Sequence, residues 1–302
     1  MSIQRVMTLT CAAGALMVCL NSSQARADSV GSETAAGSNN SSETLSYMGT
    51  SSHHKATGNG LNWNLSYGNY RIKSITPVTK RQIVDRTITY SGGLGWDQSS
   101  WELGSDLSYS RTAAEDLNSF GPDAYLGYTF GPKHDSASAP SLEIKGTYAG
   151  QRYTAYFHNR VAPLTITQSA GSLEAVLTPV NWGSISETYT AYSYNRDIKR
   201  ISALLDSTRA IVIGLSHPSS TVFGFPSHMS EATLTLGPFS KWTFELDSSY
   251  MISAVNKSIT HATRYQLSRD IGNWTLGGGV EHDSIPASGG QNLGLLNIYY
   301  NF

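Results

Sequence analysis

The chain has 302 residues, 14% of them charged, and its 21 basic and 22 acidic side chains give a formal net charge of −1. The charged fraction is well below the ~25% of ordinary soluble domains, and balanced charge excludes the positive field of a nucleic-acid-binding protein. After residue 30 the longest uninterrupted apolar run is 210–215. A membrane-spanning helix needs ~20 apolar residues, so a polytopic helical membrane protein is excluded too.

Residues 1–27 predict a secretory signal peptide. Arg5 precedes an apolar stretch at 6–20, and Ala25 and Ala27 supply the small-x-small pattern of a signal-peptidase site. We expect cleavage after Ala27. Both cysteines, Cys11 and Cys19, lie in this segment, so a mature chain has no thiol for disulfides, catalysis or zinc binding.

Residues 28–60 predict a flexible N-terminal segment. Most of them are Ser, Thr, Gly or Asn, and they show no apolar periodicity. Such a composition offers few large side chains to bury, which is typical of a linker or tail.

From residue 61 to 302 the sequence alternates apolar and polar residues, as β-strands with two different faces do. Leu61, Trp63, Leu65 and Tyr67 show the pattern first, and it recurs up to the last residues. A soluble sandwich would turn the apolar residues inward, whereas a transmembrane β-barrel turns them toward lipid. Segments of about 9–11 residues with aromatic ends favour the transmembrane barrel.

The final ten residues, LGLLNIYYNF, place Phe302 in phase with Tyr300, Ile298 and Leu296. This ending resembles the terminal strand of bacterial outer-membrane β-barrel proteins. The resemblance implies that Tyr300 and Phe302 signal to the barrel-assembly machinery. It also implies a Gram-negative outer membrane, contact with its lipids, and both termini on the periplasmic side. It does not indicate a subfamily.

Short turns are predicted at 97–100, 237–240 and 269–272, and all six tryptophans fit one rim beside them, the periplasmic one. Longer external segments are predicted at 73–82, 111–119 and 283–291. The fold class is therefore an all-β, antiparallel up-and-down barrel.

The expected strand number is about 14. Seven strands fit up to residue 195, five fit from 229, and two more fit at 209–216 and 220–225. Twelve follow if that middle region is an external lid. Sixteen follow if 141–181 holds four strands, because the apolar phase slips near Arg152 and again near Gly171.

The strand phase assigns a set of charged residues to the pore lining. They are Glu102, Asp106, Asp123, Glu143, Lys145, Glu245, Asp247, Arg264 and Glu281. Arg71 and Lys241 are the remaining inward bases on this assignment. Acids outnumber bases, which predicts a weak cation preference. The same charges could instead pair across strands and brace the wall.

We expect a passive channel for small hydrophilic solutes, because a barrel of this size leaves an aqueous lumen. The alternative is a structural barrel without flux, or an enzyme hydrolysing lipid or peptide at the external rim. No G-x-S-x-G motif occurs, and the weak catalytic candidates are His282, Asp283 and Ser284. We expect no cofactor, no metal and no nucleic-acid partner. The sequence leaves the oligomeric state open.

Overall fold

The computed structural model describes residues 27–302 except 40–43, 56–58, 76–81, 99, 114–116, 132–139, 156–162, 181, 199–224 and 286–288. They form one closed sheet of 14 antiparallel strands, in which each strand pairs with its neighbours in the chain and β1 pairs with β14. The fold class and the strand number of about 14 are confirmed. The predicted signal peptide, apart from Ala27, lies outside the described residues.

The strands are β1 (Ala27–Asn39), β2 (Thr44–Lys55), β3 (Gly60–Ile75), β4 (Gln82–Gln98), β5 (Trp101–Thr112), β6 (Leu117–Phe130), β7 (Ser141–Ala155), β8 (Leu164–Val180), β9 (Gly183–Tyr194), β10 (Pro226–Phe239), β11 (Trp242–Ser253), β12 (Ile259–Ile271), β13 (Trp274–Ile285) and β14 (Gly289–Asn301). Within the described residues there is no helix long and apolar enough to cross a membrane.

The two faces of the sheet differ as a transmembrane barrel requires. On β5, Leu103 and Leu107 are about half exposed, while Ser108 and Ser110 alternate with them and are shielded inside the barrel. The same alternation leaves Leu126 and Leu296 exposed on β6 and β14. Apolar side chains therefore cover the outside and polar side chains line the inside, as the alternation predicted.

The described chain begins and ends at the same end of the barrel, which also carries the two-residue turns after β4, β10 and β12. These are the three short turns that the sequence predicts. All six tryptophans, Trp63, Trp96, Trp101, Trp182, Trp242 and Trp274, lie at or near this end. The prediction of a single tryptophan rim is confirmed. We call this end the tryptophan end and the opposite one the loop end.

The prediction that residues 28–60 are flexible is wrong, because β1 and β2 occupy most of this segment and complete the barrel wall. The barrel starts at Ala27, not at residue 61. Two apolar side chains of these strands, Ala35 and Leu45, point inward and pack against Leu293 and Leu295. Their outward positions carry mainly Ser and Thr, so the apolar alternation that marks the other strands is missing.

The strand count is therefore right for a different reason. Nine strands precede Asn195, not seven, and β9 pairs directly with β10. The sheet thus closes without a strand between these two. The strands predicted at 209–216 and 220–225 lie, apart from Phe225, outside the described residues.

The alternative of four strands at 141–181 is also wrong. β7 and β8 pair in one unbroken register from Ser141 to Ala155. The apparent phase slip arises because Tyr153 and Ile166 turn inward at the loop end, where they pack with Leu117. The inner face is apolar there, so the strand keeps its register while the apolar residues change sides.

The strands are longer than the expected 9–11 residues. They have 12 to 17 residues, more than a tilted strand needs to cross the hydrocarbon core. As a result they run into the stretches predicted as external segments, and β13 extends to Ile285.

Candidate functional site: the barrel interior

The barrel encloses a cavity of about 580 Å³, a size within the range of small-molecule sites. Its lining residues come from β1–β10 and β14 and are mostly Ser, Thr, Asn, Gln, Ala and Tyr. The charged ones are Glu33, Asp106 and Asp123. The wall of this cavity therefore carries many hydroxyl groups and a few carboxylates among apolar atoms.

One line of hydrogen-bonding side chains runs across the strands of this wall. Ser51 lies opposite Ser66, Ser66 opposite Ser91, and Ser91 opposite Ser108, so four adjacent strands place their serines in register. The Ser66 and Ser91 hydroxyls are 2.6 Å apart and hydrogen-bonded. The Ser108 hydroxyl donates to the carbonyl of Gly121 at 3.2 Å.

The line continues beyond Gly121 through two glutamines. The amide of Gln151 lies beside Gly121, and Gln151 lies opposite Gln168. We call Ser51, Ser66, Ser91, Ser108, Gln151 and Gln168 the polar row. All six line the cavity, and none of them is charged.

Tyrosine rings lie against the wall at both ends of the polar row. Tyr299 pairs across strands with Gly31, itself opposite Ser51, and a Cβ at Gly31 would collide with the ring. At the other end, the hydroxyl of Tyr153 donates to Gln168 at 3.0 Å. Because Gly31 has no side chain, the ring of Tyr299 lies flat on the strand, an arrangement that also covers the glycine.

A second pair of tyrosines lines the same cavity. Tyr47 on β2 lies over Gly49 and packs against Tyr70 with a centroid distance of 4.6 Å. Tyr192 on β9 lies seven strands away, which in a closed sheet of 14 strands is the opposite side of the barrel. Aromatic faces therefore border the polar wall from two sides.

A charged network braces β10, β11 and β12. Arg264 donates through Nε to Asp247 Oδ2 at 2.7 Å and through Nη2 to Glu245 Oε1 at 3.1 Å. Asp247 also accepts a hydrogen bond from the hydroxyl of Thr233 at 2.6 Å. Asp247 and Arg264 are mostly buried, so their charges are stabilised mainly by each other.

A second network joins β5, β7 and β8. Lys145 Nζ lies 2.7 Å from Glu174 Oε2 and 3.8 Å from Glu102 Oε1. Its ammonium is also 5.8 Å from the centroid of the Tyr125 ring. Lys145 thus holds two carboxylates of the inner wall together.

Asp106 and Asp123 have different partners from these braced charges. Asn64 Nδ2 donates to Asp106 Oδ1 at 2.8 Å, and the backbone amide of Asp106 donates to Asp123 Oδ1 at 3.2 Å. Both carboxylates line the cavity. They give it negative charge next to the polar row.

All nine residues predicted as pore lining lie on the inner face, but the structure divides them. Asp106 and Asp123 line the cavity, whereas Glu245, Asp247, Arg264, Glu102 and Lys145 form the bracing networks. The remaining two are Glu143, shielded on β7, and Glu281, buried opposite Arg264.

The prediction that Arg71 and Lys241 face inward is wrong. Arg71 follows the outward phase of Leu61 and Leu65 on β3, and Lys241 lies in the exposed turn after β10.

Sequence reasoning missed several acids on the inner face, and four of them bear on the site. Glu174 contacts Lys145, Glu231 lies opposite the buried Ser249, Asp97 is buried opposite Glu102, and Glu33 lines the cavity. The strand phase of β8 and β10 could have revealed Glu174 and Glu231. Glu33 was hidden because its strand lacks the apolar alternation.

The structure does not bring His282, Asp283 and Ser284 together. They are consecutive on β13, so Asp283 points inward and is fully buried while His282 and Ser284 are exposed on the outer side. Asp283 accepts a hydrogen bond from Gln291 at 3.2 Å, and His282 hydrogen-bonds Asn292 at 2.8 Å. Catalysis needs converging side chains, which these are not. Within the described residues, no three His, Cys, Asp or Glu side chains are grouped to hold a metal ion.

The fold defined by these features is that of a porin-like outer-membrane β-barrel. The chain is similar to the CymD monoaromatic hydrocarbon channel, with a TM-score of 0.52 and 10% identity over 92% of this chain and 89% of that one. The deltaS2S3 mutant of the TodX monoaromatic hydrocarbon channel gives a TM-score of 0.54 and 8% identity, over 93% and 91%. At such identities the likeness establishes the fold alone. No protein-family model and no curated protein matches the sequence.

Proposed function

We propose that this protein is a passive outer-membrane channel for small hydrophilic solutes. The single observation that carries the proposal is the cavity of about 580 Å³, lined by many hydroxyl and amide side chains, inside a closed barrel with an apolar outer face. Hydroxyl and amide groups both donate and accept hydrogen bonds, so they can replace part of a solute's hydration. The outer face suits hydrocarbon, which supports a location in the outer membrane.

Planar-bilayer recording tests this function. The folded protein should give discrete conductance steps, and Ala170→Trp should lower the step size because Ala170 lines the cavity. Ala175→Trp is the matched control, since Ala175 lies on the same strand in phase with the outward Leu173 and Leu177. A barrel that folds and inserts without conducting would contradict the proposal.

A structural barrel without flux is the second candidate, and one observation favours it. The inner face at the loop end carries an apolar cluster of Leu117, Tyr153, Leu164, Ile166 and Ile198. Apolar groups at a narrow place oppose the passage of water and ions. Absence of conductance in the experiment above would favour this candidate.

We also propose a weak cation preference. Asp106, Asp123 and Glu33 line the cavity, and no basic residue is among the described residues that line it. Asp106→Asn combined with Asp123→Asn should shift the reversal potential in a salt gradient toward the anion side. Glu187→Gln is the control, because Glu187 is exposed in phase with outward residues of β9. An unshifted potential in the double variant would contradict the preference.

Export by a cleaved signal peptide and recognition of Tyr300 and Phe302 by the assembly machinery complete the proposal. The aromatic end of β14 supports it, since Tyr300 contacts Trp274 and Phe302 on the outside of the tryptophan end. Deleting Phe302 should lower the yield of heat-modifiable, folded protein in membranes, and N-terminal sequencing should find Asp28. Unchanged assembly would contradict the role of Phe302.

A further inference from the structure

The side chains of the polar row are aligned across the strands more regularly than a hydrated pore lining requires. Its serines stand directly opposite one another on four adjacent strands, and the hydroxyls of Ser66 and Ser91 are linked. Each hydroxyl both donates and accepts, and each glutamine amide adds one acceptor and two hydrogens. The row therefore presents a track of neutral hydrogen-bonding groups.

Aromatic surfaces frame this track. Tyr299 lies on Gly31 at one end, and Tyr153 contacts Gln168 at the other. Tyr47 and Tyr192 line the cavity from opposite sides of the barrel. Aromatic side chains supply large, rigid contact surfaces at little cost in conformational entropy. A ligand with an apolar face and a hydroxylated edge would use both kinds of wall.

We propose that the polar row and its framing tyrosines form a binding subsite for a neutral carbohydrate of one to a few sugar rings. The inference names the solute class of the channel and so rests on the proposed function. A pyranose ring presents C–H groups on its faces and hydroxyls on its edge, which fit the tyrosines and the row respectively. The cavity volume of about 580 Å³ suits a ligand of this size.

The charges around the row exclude two other solute classes. On β5 and β6, Asp106 and Asp123 are the inward residues next to Ser108 and Gly121 along the strand. On β1, Glu33 is in the same way the inward neighbour of Gly31. These carboxylates repel an acidic sugar. An apolar aromatic solute would displace water from the hydroxyl groups without replacing their hydrogen bonds. That desolvation costs binding free energy.

Binding to the detergent-folded full chain tests the inference without requiring flux. Isothermal titration with maltose should give saturable binding, while digalacturonate and toluene should bind at least tenfold more weakly. Ser66→Ala, Ser91→Ala and Ser108→Ala together should weaken maltose binding by roughly tenfold or more. Ser105→Ala is the matched control, because Ser105 is exposed on the outside of the same strand as Ser108.

The tyrosines need a separate variant. Tyr299→Leu keeps an apolar side chain but removes the flat ring and should weaken binding about three- to tenfold. Tyr299→Phe keeps the ring and should stay within about twofold. Tyr148→Leu, at an outward tyrosine that is 64% exposed, should change nothing.

The outcomes separate the two proposals. Maltose binding with the expected variant pattern supports the inference, and it does so even when bilayers show no conductance, in which case only the channel proposal fails. Conductance without saturable maltose binding, equal or tighter binding of digalacturonate or toluene, or an unaffected triple variant would overturn the carbohydrate subsite and leave the channel standing.

Discussion

The outer faces of β1–β2 and of β5 differ although both belong to one wall. On β5 the outward side chains include Leu103, Leu107 and Tyr109, all exposed. On β1 and β2 they are mainly Ser and Thr, and the large exposed hydrophobic residues of the described chain begin only at Leu61. The inner faces, by contrast, share the polar row. The comparison shows that interior polarity and outer apolarity are set independently, strand by strand.

The largest effect is expected from removing β1 and β2, the strands whose outward side chains are mainly Ser and Thr. Deleting residues 27–55 takes away β1 and β2 and leaves one edge of β3 and one edge of β14 unpaired. Because unpaired strand edges are not tolerated in hydrocarbon, we expect loss of the folded barrel, read as loss of heat-modifiable migration. Ser46→Ala with Thr50→Ala, which keeps both strands, should fold normally. A folded and stable deletion variant would show that these strands are dispensable.

A smaller effect is expected inside the wall, at the charged network. Arg264→Met leaves Asp247 and Glu245 without their guanidinium partner, and breaking a buried ion pair in this way costs about 3–5 kcal/mol. Arg269→Met is the control on the same strand, because Arg269 lies outside over the Trp242 ring at 5.1 Å. Urea unfolding in detergent or lipid measures both. Equal stabilities would mean that Arg264 is not a brace.

Arginine substitutions at outward positions test directly which strands meet lipid. Leu246→Arg and Leu296→Arg should each cost about 2–4 kcal/mol of unfolding free energy if lipid covers them near the midplane. Ser108→Arg, in the cavity, should cost far less.

Thr34→Arg extends the same measurement to β1. A cost equal to that at Leu246 would show that lipid also covers the outward face of β1 despite its hydroxyl groups. A much smaller cost would show that this face does not meet the hydrocarbon core. Reversed costs, with Ser108→Arg the least stable variant, would contradict the membrane orientation of the whole sheet.

The sequence predicted the fold wherever outward residues were large and apolar. The alternation at Leu103 and Leu107, the tryptophan rim and the short turns all follow from contact with the membrane, which selects residue type at every second position. β1 and β2 were not predicted as strands because their outward residues are not large and apolar. The apparent change of phase near Tyr153 suggested extra strands at 141–181, because the inner face becomes apolar at the loop end.

The site was only partly predictable for a related reason. Strand phase places Asp106 and Asp247 on the same inner face, but it does not show which acid meets a base. That depends on the register between β11 and β12, which sets Asp247 opposite Arg264. The polar row depends in the same way on register across four strands, so single-strand patterns do not reveal it.

The central claim is that a water-filled, conducting lumen runs past the polar row. Cysteine substitution at two adjacent positions tests it most directly, since residues 28–302 hold no cysteine. In planar bilayers a charged, membrane-impermeant thiol reagent should reduce the current of Ser108→Cys, because Ser108 lines the cavity. It should leave the current of Leu107→Cys unchanged, because Leu107 is exposed on the outside. Equal responses of the two variants, or no current to modify, would contradict the account.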